Sequence, residues 1–122
     1  MVRSRVRDSS ESRNRYLSDP VSIRLGNLAS NLARIADFAE SLQEDDGVPN
    51  LLEESISFIE WTIGDAAPEV KKDLRTVRNR LALWQNRLAA ILRNTSERMT
   101  LISEARQWAE RLLADSGILS DG

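Results

Sequence analysis

Almost all the side chains in this sequence that could carry out chemistry are carboxylates. The 122 residues include no histidine and no cysteine. Histidine is the commonest general base and metal ligand, and cysteine supplies thiol nucleophiles and thiolate ligands. The composition therefore excludes a Ser–His–Asp triad, thiol chemistry, disulfides and any di-metal site built on Glu-x-x-His.

Two carboxylates with a hydroxyl between them are the best remaining candidates for catalysis. Glu53 and Glu60 are seven residues apart, with Ser57 between them, so they share one flank of a helix. Paired carboxylates can act as acid and base in glycoside cleavage, and their oxygens bind Mg²⁺ or Ca²⁺. Acids at this spacing are also routine on a solvated helix, and the run Glu44-Asp45-Asp46 lacks the alternating pattern of a calcium loop. We predict no catalytic residue, no metal site and no cofactor, so the chain is not expected to be an enzyme.

The composition is that of a soluble single domain. Charged residues make up 30% and hydrophobic residues 41%, and the net charge is −2. No stretch approaches the roughly 20 apolar residues of a membrane span. The N-terminus lacks the apolar segment of a secretory signal. We expect a cytoplasmic protein with no membrane contact.

Apolar residues recur at helical spacing in four stretches. The predicted helices are about 20–43, 51–63, 68–93 and 95–116. The third carries the strongest pattern, with apolar residues every three or four positions over three heptads. Asn94 followed by Glu97 resembles a capping box, and Gly117 fits a left-handed helix end. Because the helices are amphipathic and the loops short, we predict an all-α fold, an antiparallel up-down-up-down four-helix bundle over 18–119.

The segments outside these helices also carry signals. Gly47 and Pro49 are expected to separate the first two helices, since both residues break helices. Asn50 is expected to cap the second helix, and Gly64 to end it in a left-handed conformation.

Residues 1–17 contain five Arg and two acids without helical apolar spacing, so we expect a flexible basic tail that is disordered or loosely packed. Its last residues, Tyr16 and Leu17, are candidates to cover the space that the short second helix leaves.

Charge is segregated along the chain. Residues 37–65 include nine acids and no base, whereas residues 69–93 include seven bases and two acids. One interpretation is that the flanks of the second and third helices attract each other, which sets pairing more than stability. The alternative is a strip that binds nucleic acid or another polyanion, made of the basic tail and residues on one flank of the third helix: Lys71, Arg75, Arg78 and Arg93. The net charge of −2 and the absence of a nucleic-acid-binding motif count against this alternative.

Some large apolar residues lie off the core stripes of their helices. Trp61 falls on the face opposite the stripe that contains Ile59, and Leu83 lies off its own stripe in the same way. If such residues merge into a patch, they mark an interface. The candidate interface consists of Trp61, Phe58, Leu51, Glu54 and Leu83. Trp61 has two possible covers: the tail or a helix of the same chain, or a second protein molecule.

These patterns favour a function in protein–protein contact. The first hypothesis is a helical bundle that self-associates into a homo-oligomer, or binds another protein, by burying the off-stripe apolar residues. The second hypothesis, from a different class, is electrostatic binding of nucleic acid or another polyanion through the basic third helix and the tail. A steep loss of binding with added salt would distinguish the second from the first.

Two stretches of the sequence resemble segments of known proteins. YLSDPVSIRLGNLASNLARI at residues 16–35 and LLEESISFIEWT at residues 51–62 resemble segments of small all-helical, cyanobacterial proteins of unknown function. The resemblance covers about a quarter of the chain and includes no catalytic signature. It implies a small helical protein without an assigned activity, and it carries over no functional residue.

Overall fold

The computed structural model describes residues 2–41 and 47–117, with side chains from residue 10 onward. The regular elements of these residues are helices: α1 (Val2–Leu17), α2 (Val21–Ser41), α3 (Gly47–Thr62), a 3₁₀ turn (Ile63–Asp65), α4 (Pro68–Arg93) and α5 (Thr95–Ser116). The prediction of an all-α chain is therefore confirmed. Among the helices described, none has the length and apolar composition needed to cross a bilayer.

The structure begins and ends α4 and α5 at the predicted residues. Pro68 lies at the start of α4, where its missing N–H removes no helical hydrogen bond. Asn94 Oδ1 accepts a hydrogen bond of 2.9 Å from the backbone N–H of Glu97 and so caps α5. Gly117, with φ of 77°, ends α5 in the left-handed region. The rest of the predicted domain, up to residue 119, lies outside the described residues.

The predicted start of the second helix is wrong, and so is the left-handed conformation predicted for Gly64 at its end. Its counterpart α3 already begins at Gly47, and Pro49 and Asn50 lie inside its first turn. Proline is tolerated there because the first N–H groups of a helix have no partner within it. At the other end, Gly64 lies in the 3₁₀ turn. Among the described glycines, only Gly117 has a positive φ.

Helix α1 also differs from the prediction, whereas α2 agrees with it. Residues 1–17 were expected to be a flexible tail, but Val2–Leu17 forms α1. Periodicity missed this helix because residues 7–15 contain no apolar side chain. The predicted helix 20–43 appears as α2, and its last two positions lie outside the described residues.

The core lies among α2, α3, α4 and α5. α2 and α5 make the most extensive contact of any helix pair in the described part of the chain. Both helices bury alanines, which allow helix backbones to approach closely; these are Ala29, Ala36, Ala39, Ala105 and Ala109. Leu52 of α3 and Leu81 of α4 are fully buried against this pair. Burying each leucine contributes on the order of 2 kcal/mol, so the core supplies most of the stability.

Ion pairs at heptad spacing join α4 to α5. The pairs are Asp73–Arg111 at 3.0 Å, Arg80–Glu104 at 2.7 Å and Arg87–Glu97 at 2.8 Å. In the first pair α4 supplies the acid, whereas in the other two pairs it supplies the arginine. The three pairs can therefore form together in only one mutual direction of the two helices. A parallel alignment of the same residues would set Asp73 against Glu97 and would bring two arginines, Arg87 and Arg111, together. Although an exposed pair contributes only about 0–1 kcal/mol, the set favours one mutual direction and register of the two helices.

Candidate protein interface

The candidate interface around Trp61 lies beneath the end of α1. The ring of Tyr16 stacks on Phe58, with centroids 4.1 Å apart and planes inclined by 14°. Tyr16 and Trp61 are 5.7 Å apart, and Phe58 and Trp61 are 6.0 Å apart. Aromatic pairs of this kind contribute about 0.5–1.5 kcal/mol each beyond burial. In this structure, therefore, the cover of the half-buried Trp61 comes from its own chain.

Two hydrogen bonds hold Tyr16 in place. Its hydroxyl donates to the carbonyl oxygen of Arg24 at 2.8 Å and accepts from the hydroxyl of the fully buried Thr62 at 3.1 Å. Burial raises the pKa of Tyr16 to about 12, because a phenolate in this position would lose its hydration; the hydrogen bond from Thr62 acts in the opposite direction. Phe58, Trp61, Thr62 and the Arg24 carbonyl thus form a socket for one tyrosine side chain, which we call the Tyr16 socket.

A buried guanidinium holds this socket together. The side chain of Arg24 is only 9% exposed. Its Nε donates to the Asp19 carbonyl at 2.9 Å. Its Nη1 donates to the Asp65 carboxylate at 2.9 Å and to the Trp61 carbonyl at 3.4 Å. Arg24 therefore links the α1–α2 connection, the end of α3 and the 3₁₀ turn, and a cation is favourable near the C-terminal end of a helix.

The structure divides the predicted interface residues into two groups. Phe58 and Trp61 belong to the Tyr16 socket, and the exposed Glu54 lies nearby, accepting a hydrogen bond of 3.0 Å from Asn31. Leu51 is buried in the core and is not available to a partner. Leu83 is 40% exposed, but it lies in a separate groove of about 150 Å³ between α4 and α5.

The predicted polyanion residues do not all remain available. Arg78 forms an ion pair with Glu60 at 3.1 Å, which joins the flanks of α3 and α4 as the first interpretation of the charge pattern expected. Lys71 is half-buried. Arg75 and Arg93 are exposed and form no ion pair with another described residue. They are 18 positions apart, or about 27 Å along the helix.

The carboxylates considered for catalysis are not arranged as a metal centre. Glu60 is engaged with Arg78, and Glu53 is exposed on the same helix. Within residues 2–41 and 47–117, no three His, Cys, Asp or Glu residues are placed so that they could hold a metal ion. The geometry of these residues indicates a solvated helix flank.

A close carboxylate pair lies at the end of the α4–α5 seam. Asp73 is buried and accepts a hydrogen bond of 3.0 Å from Arg111 Nε, whereas Asp115 lies 3.9 Å from the same nitrogen. One carboxylate oxygen of Asp115 is buried without a hydrogen-bond partner. Burial and the neighbouring Asp73 carboxylate raise the pKa of Asp115 to about 6, and Glu69 adds to the effect while Arg111 opposes it.

The tail was predicted as a possible cover of Trp61, and Tyr16 lies at its end. Two other residues of this region, Arg24 and Thr62, were missed, although some signal was present for both. Arg24 is four residues before Leu28, and Thr62 is three residues after Ile59, so both share a face with core residues. Nothing in the sequence indicated that Tyr16 would contact them, because that contact depends on the angle between α1 and α2.

Comparison with protein-family models, with curated proteins and with solved structures found no match to this chain. The resemblance of residues 16–35 and 51–62 to small helical proteins stays an expectation. Function is therefore inferred from the geometry of the described residues.

The first prediction concerns the hydroxyl of Tyr16. Tyr16 is the single tyrosine of the chain, so the absorbance of its phenolate should titrate with a midpoint near 12 in the folded protein. Above pH 10 the unfolded state loses this proton and the folded state keeps it, so stability should fall as the pH rises from 10 to 12. Over this range the free energy of unfolding should decrease by at most about 3 kcal/mol.

The variant Tyr16→Phe provides the control. It keeps the ring but leaves Thr62 and the Arg24 carbonyl without their partner, so it should lower the free energy of unfolding at pH 8 by about 1–2 kcal/mol. Denaturant titrations of both proteins should differ less at pH 12 than at pH 8. A phenolate titrating near pH 10 in the folded protein would contradict the buried socket.

The second prediction concerns Asp115. Because its pKa is raised when folded, the folded state holds the proton between about pH 4 and 6, where the unfolded state has lost it. Stability from this group should therefore decrease as the pH rises through this window, by on the order of 1–2 kcal/mol after allowance for partial exposure. Asp115→Asn, which mimics the protonated acid, should raise the melting temperature at pH 7 and remove this part of the pH dependence.

Glu110→Gln is the matched control for Asp115→Asn. Glu110 is an exposed acid of the same helix and makes no ion pair with another described residue. Its replacement should leave the pH dependence between 4 and 6 unchanged. If the two variants change the pH dependence of the melting temperature equally, the pKa of Asp115 is not raised in the folded protein.

Proposed function

We propose that this chain is a non-enzymatic helical-bundle protein of the cytoplasm that acts through protein–protein contact, chiefly self-association. In this proposal α2, α3, α4 and α5 form an antiparallel up-down-up-down four-helix bundle, and α1 lies outside it. The contacts support this order, since the principal helix pairs are α2–α3, α3–α4, α4–α5 and α2–α5. The ion pairs between α4 and α5 also support it, because the residue numbers fall in one helix as they rise in the other.

One observation carries the proposal: the contrast within α1. The described side chains of residues 10–15 are all exposed, whereas Tyr16, the next residue, is 5% exposed. A polar helix of this length gains little stability alone in water, because most helical stability in proteins comes from tertiary packing. α1 is therefore attached to the body at one end and has its remaining described surface free for a partner.

The chemistry around the anchor is suited to an interface. Tyrosine, tryptophan and arginine are the residues most enriched in the energetic centres of protein contacts. Tyr16 and Trp61 supply the aromatic part, and Arg15 and Glu54 line the cleft beside them. An aromatic centre with a charged rim is the usual anatomy of a protein–protein interface.

The third prediction tests self-association and its location. Light scattering over a dilution series should show a mass above that of the 13.8 kDa chain at high protein concentration. Trp61→Ala should weaken this association by about tenfold or more, since central aromatic residues contribute at least about 2 kcal/mol at such contacts. Leu83→Ala, an apolar truncation on the distant α4–α5 groove, is the matched control and should leave it unchanged.

Two outcomes would contradict this proposal. A monomer at every workable concentration would exclude self-association. Loss of association in Leu83→Ala but not in Trp61→Ala, with both variants folded by circular dichroism, would move the interface to the α4–α5 groove.

A second candidate function is electrostatic binding of nucleic acid or another polyanion. The observation that favours it is the exposure of Arg75 and Arg93 on α4, and of Arg13 and Arg15 on α1, without ion pairs to other described residues. These side chains could contact phosphates, although the net charge of the whole chain is −2.

The fourth prediction tests this second function on a phosphate column. If the basic residues bind polyanions, Arg75→Ala with Arg93→Ala, or removal of residues 1–15, should lower the salt concentration needed for elution. Arg106→Ala is the control, because Arg106 is already paired with Asp37 and Glu40. A chain that is not retained even at low salt does not bind polyanions in this way.

A further inference from the structure

We propose that two copies of this chain exchange α1, so that Tyr16 of each copy occupies the Tyr16 socket of the other. This inference rests on the proposed self-association and specifies how it occurs. The occupant of the interface is then a second copy of α1 itself.

The connection between α1 and α2 is short and distinct from both helices. Ser18, Asp19 and Pro20 are the only residues between the two helices. Proline has no backbone N–H and disfavours a helical conformation at the residue before it, so the two helices do not merge into one. Three residues in extended conformation span about 10 Å, enough to let α1 turn away from its own body.

Moving α1 disturbs few of the contacts that its described residues make. Its principal contact with another helix is the one with α3, through the last turn of α1. The ring stacking on Phe58 and the hydrogen bonds with Thr62 and Arg24 would break in one copy and re-form identically in the other. Exchange of an identical element is a low-cost route to a dimer, because it conserves the contacts of the monomer. Protein concentration then decides which of the two arrangements is populated. A variant that weakens the socket, such as Trp61→Ala, detaches α1 and so populates open single chains at the expense of the dimer.

Charge also matches α1 to α3. Residues 2–17 contain five Arg and two acids. α3 contains Glu53, Glu54 and Glu60 and no basic residue. The opposite charges draw the α1 of any copy towards an α3, and they favour this pairing over that of α1 with the basic α4. Added salt should therefore slow the association of two copies.

The absence of cysteine from the sequence allows a direct test. Ser12 on α1 and Asn27 on α2 are both exposed and line the same cleft of about 250 Å³ beside the Tyr16 socket. A chain with Ser12→Cys and an isotopically heavy chain with Asn27→Cys are mixed, unfolded, refolded together at high concentration and treated with a short bismaleimide. Mass spectrometry then identifies links between a light and a heavy chain.

Exchange of α1 predicts a link between the light chain and the heavy chain, with a yield that rises with protein concentration. The link should disappear when the Ser12→Cys chain also carries Tyr16→Ala, and it should persist with Tyr16→Phe, which keeps the stacking ring. Circular dichroism of each variant checks that the body remains helical.

Two other results would overturn the inference in distinguishable ways. In one, light scattering shows dimers, but the light and heavy chains are not linked, and a chain that carries both Ser12→Cys and Asn27→Cys is linked only within itself. This result means that α1 stays on its own body and that self-association uses another surface. In the other, the chain is a monomer at every concentration and no mixed link forms, and both the exchange and the proposed self-association fail.

Discussion

The buried guanidinium of Arg24 imposes a requirement that several parts of the chain meet together. A charge removed from water must be surrounded by acceptors, or burial costs several kcal/mol. Here the acceptors are the carbonyl of Asp19, the carbonyl of Trp61 and the carboxylate of Asp65. Asp65 is 57% exposed, so it contributes a counter-charge that still has contact with water. The linker before α2 and the turn after α3 are fixed relative to each other because both supply these acceptors.

Apolar packing and charge have different roles in the rest of the molecule. The buried leucines and alanines of α2 and α5 supply most of the stabilising free energy, but they would pack in several alignments of the helices. The ion pairs between α4 and α5 contribute little energy each, yet their reversed order at Asp73 and Arg111 favours one alignment. A core made of similar residues thus gains its specificity from the charged flanks.

The helix ends could be predicted from the sequence where residues close in sequence determine them. α4 and α5 were placed correctly because Pro68, Asn94 and Gly117 each act on neighbouring backbone groups. The start of α3 was missed because the residues that usually break a helix also fit its first turn. α1 was missed because residues 7–15 contain no apolar side chain. The hydrogen bond of Tyr16 with Thr62 was missed for another reason, since the two residues are 46 positions apart. Spacing along one helix cannot indicate such contacts.

The attachment of α1 through Tyr16 has a consequence for the dynamics of the molecule. The described side chains before Tyr16, those of residues 10–15, are exposed. Among the described contacts, the opening of α1 therefore breaks chiefly the ring contacts of Tyr16 and its two hydrogen bonds. The body can open only by breaking its entire apolar core. The chain therefore has two cooperative units of very different stability, and amide protons of α1 should exchange with solvent through a local opening that leaves the other helices intact.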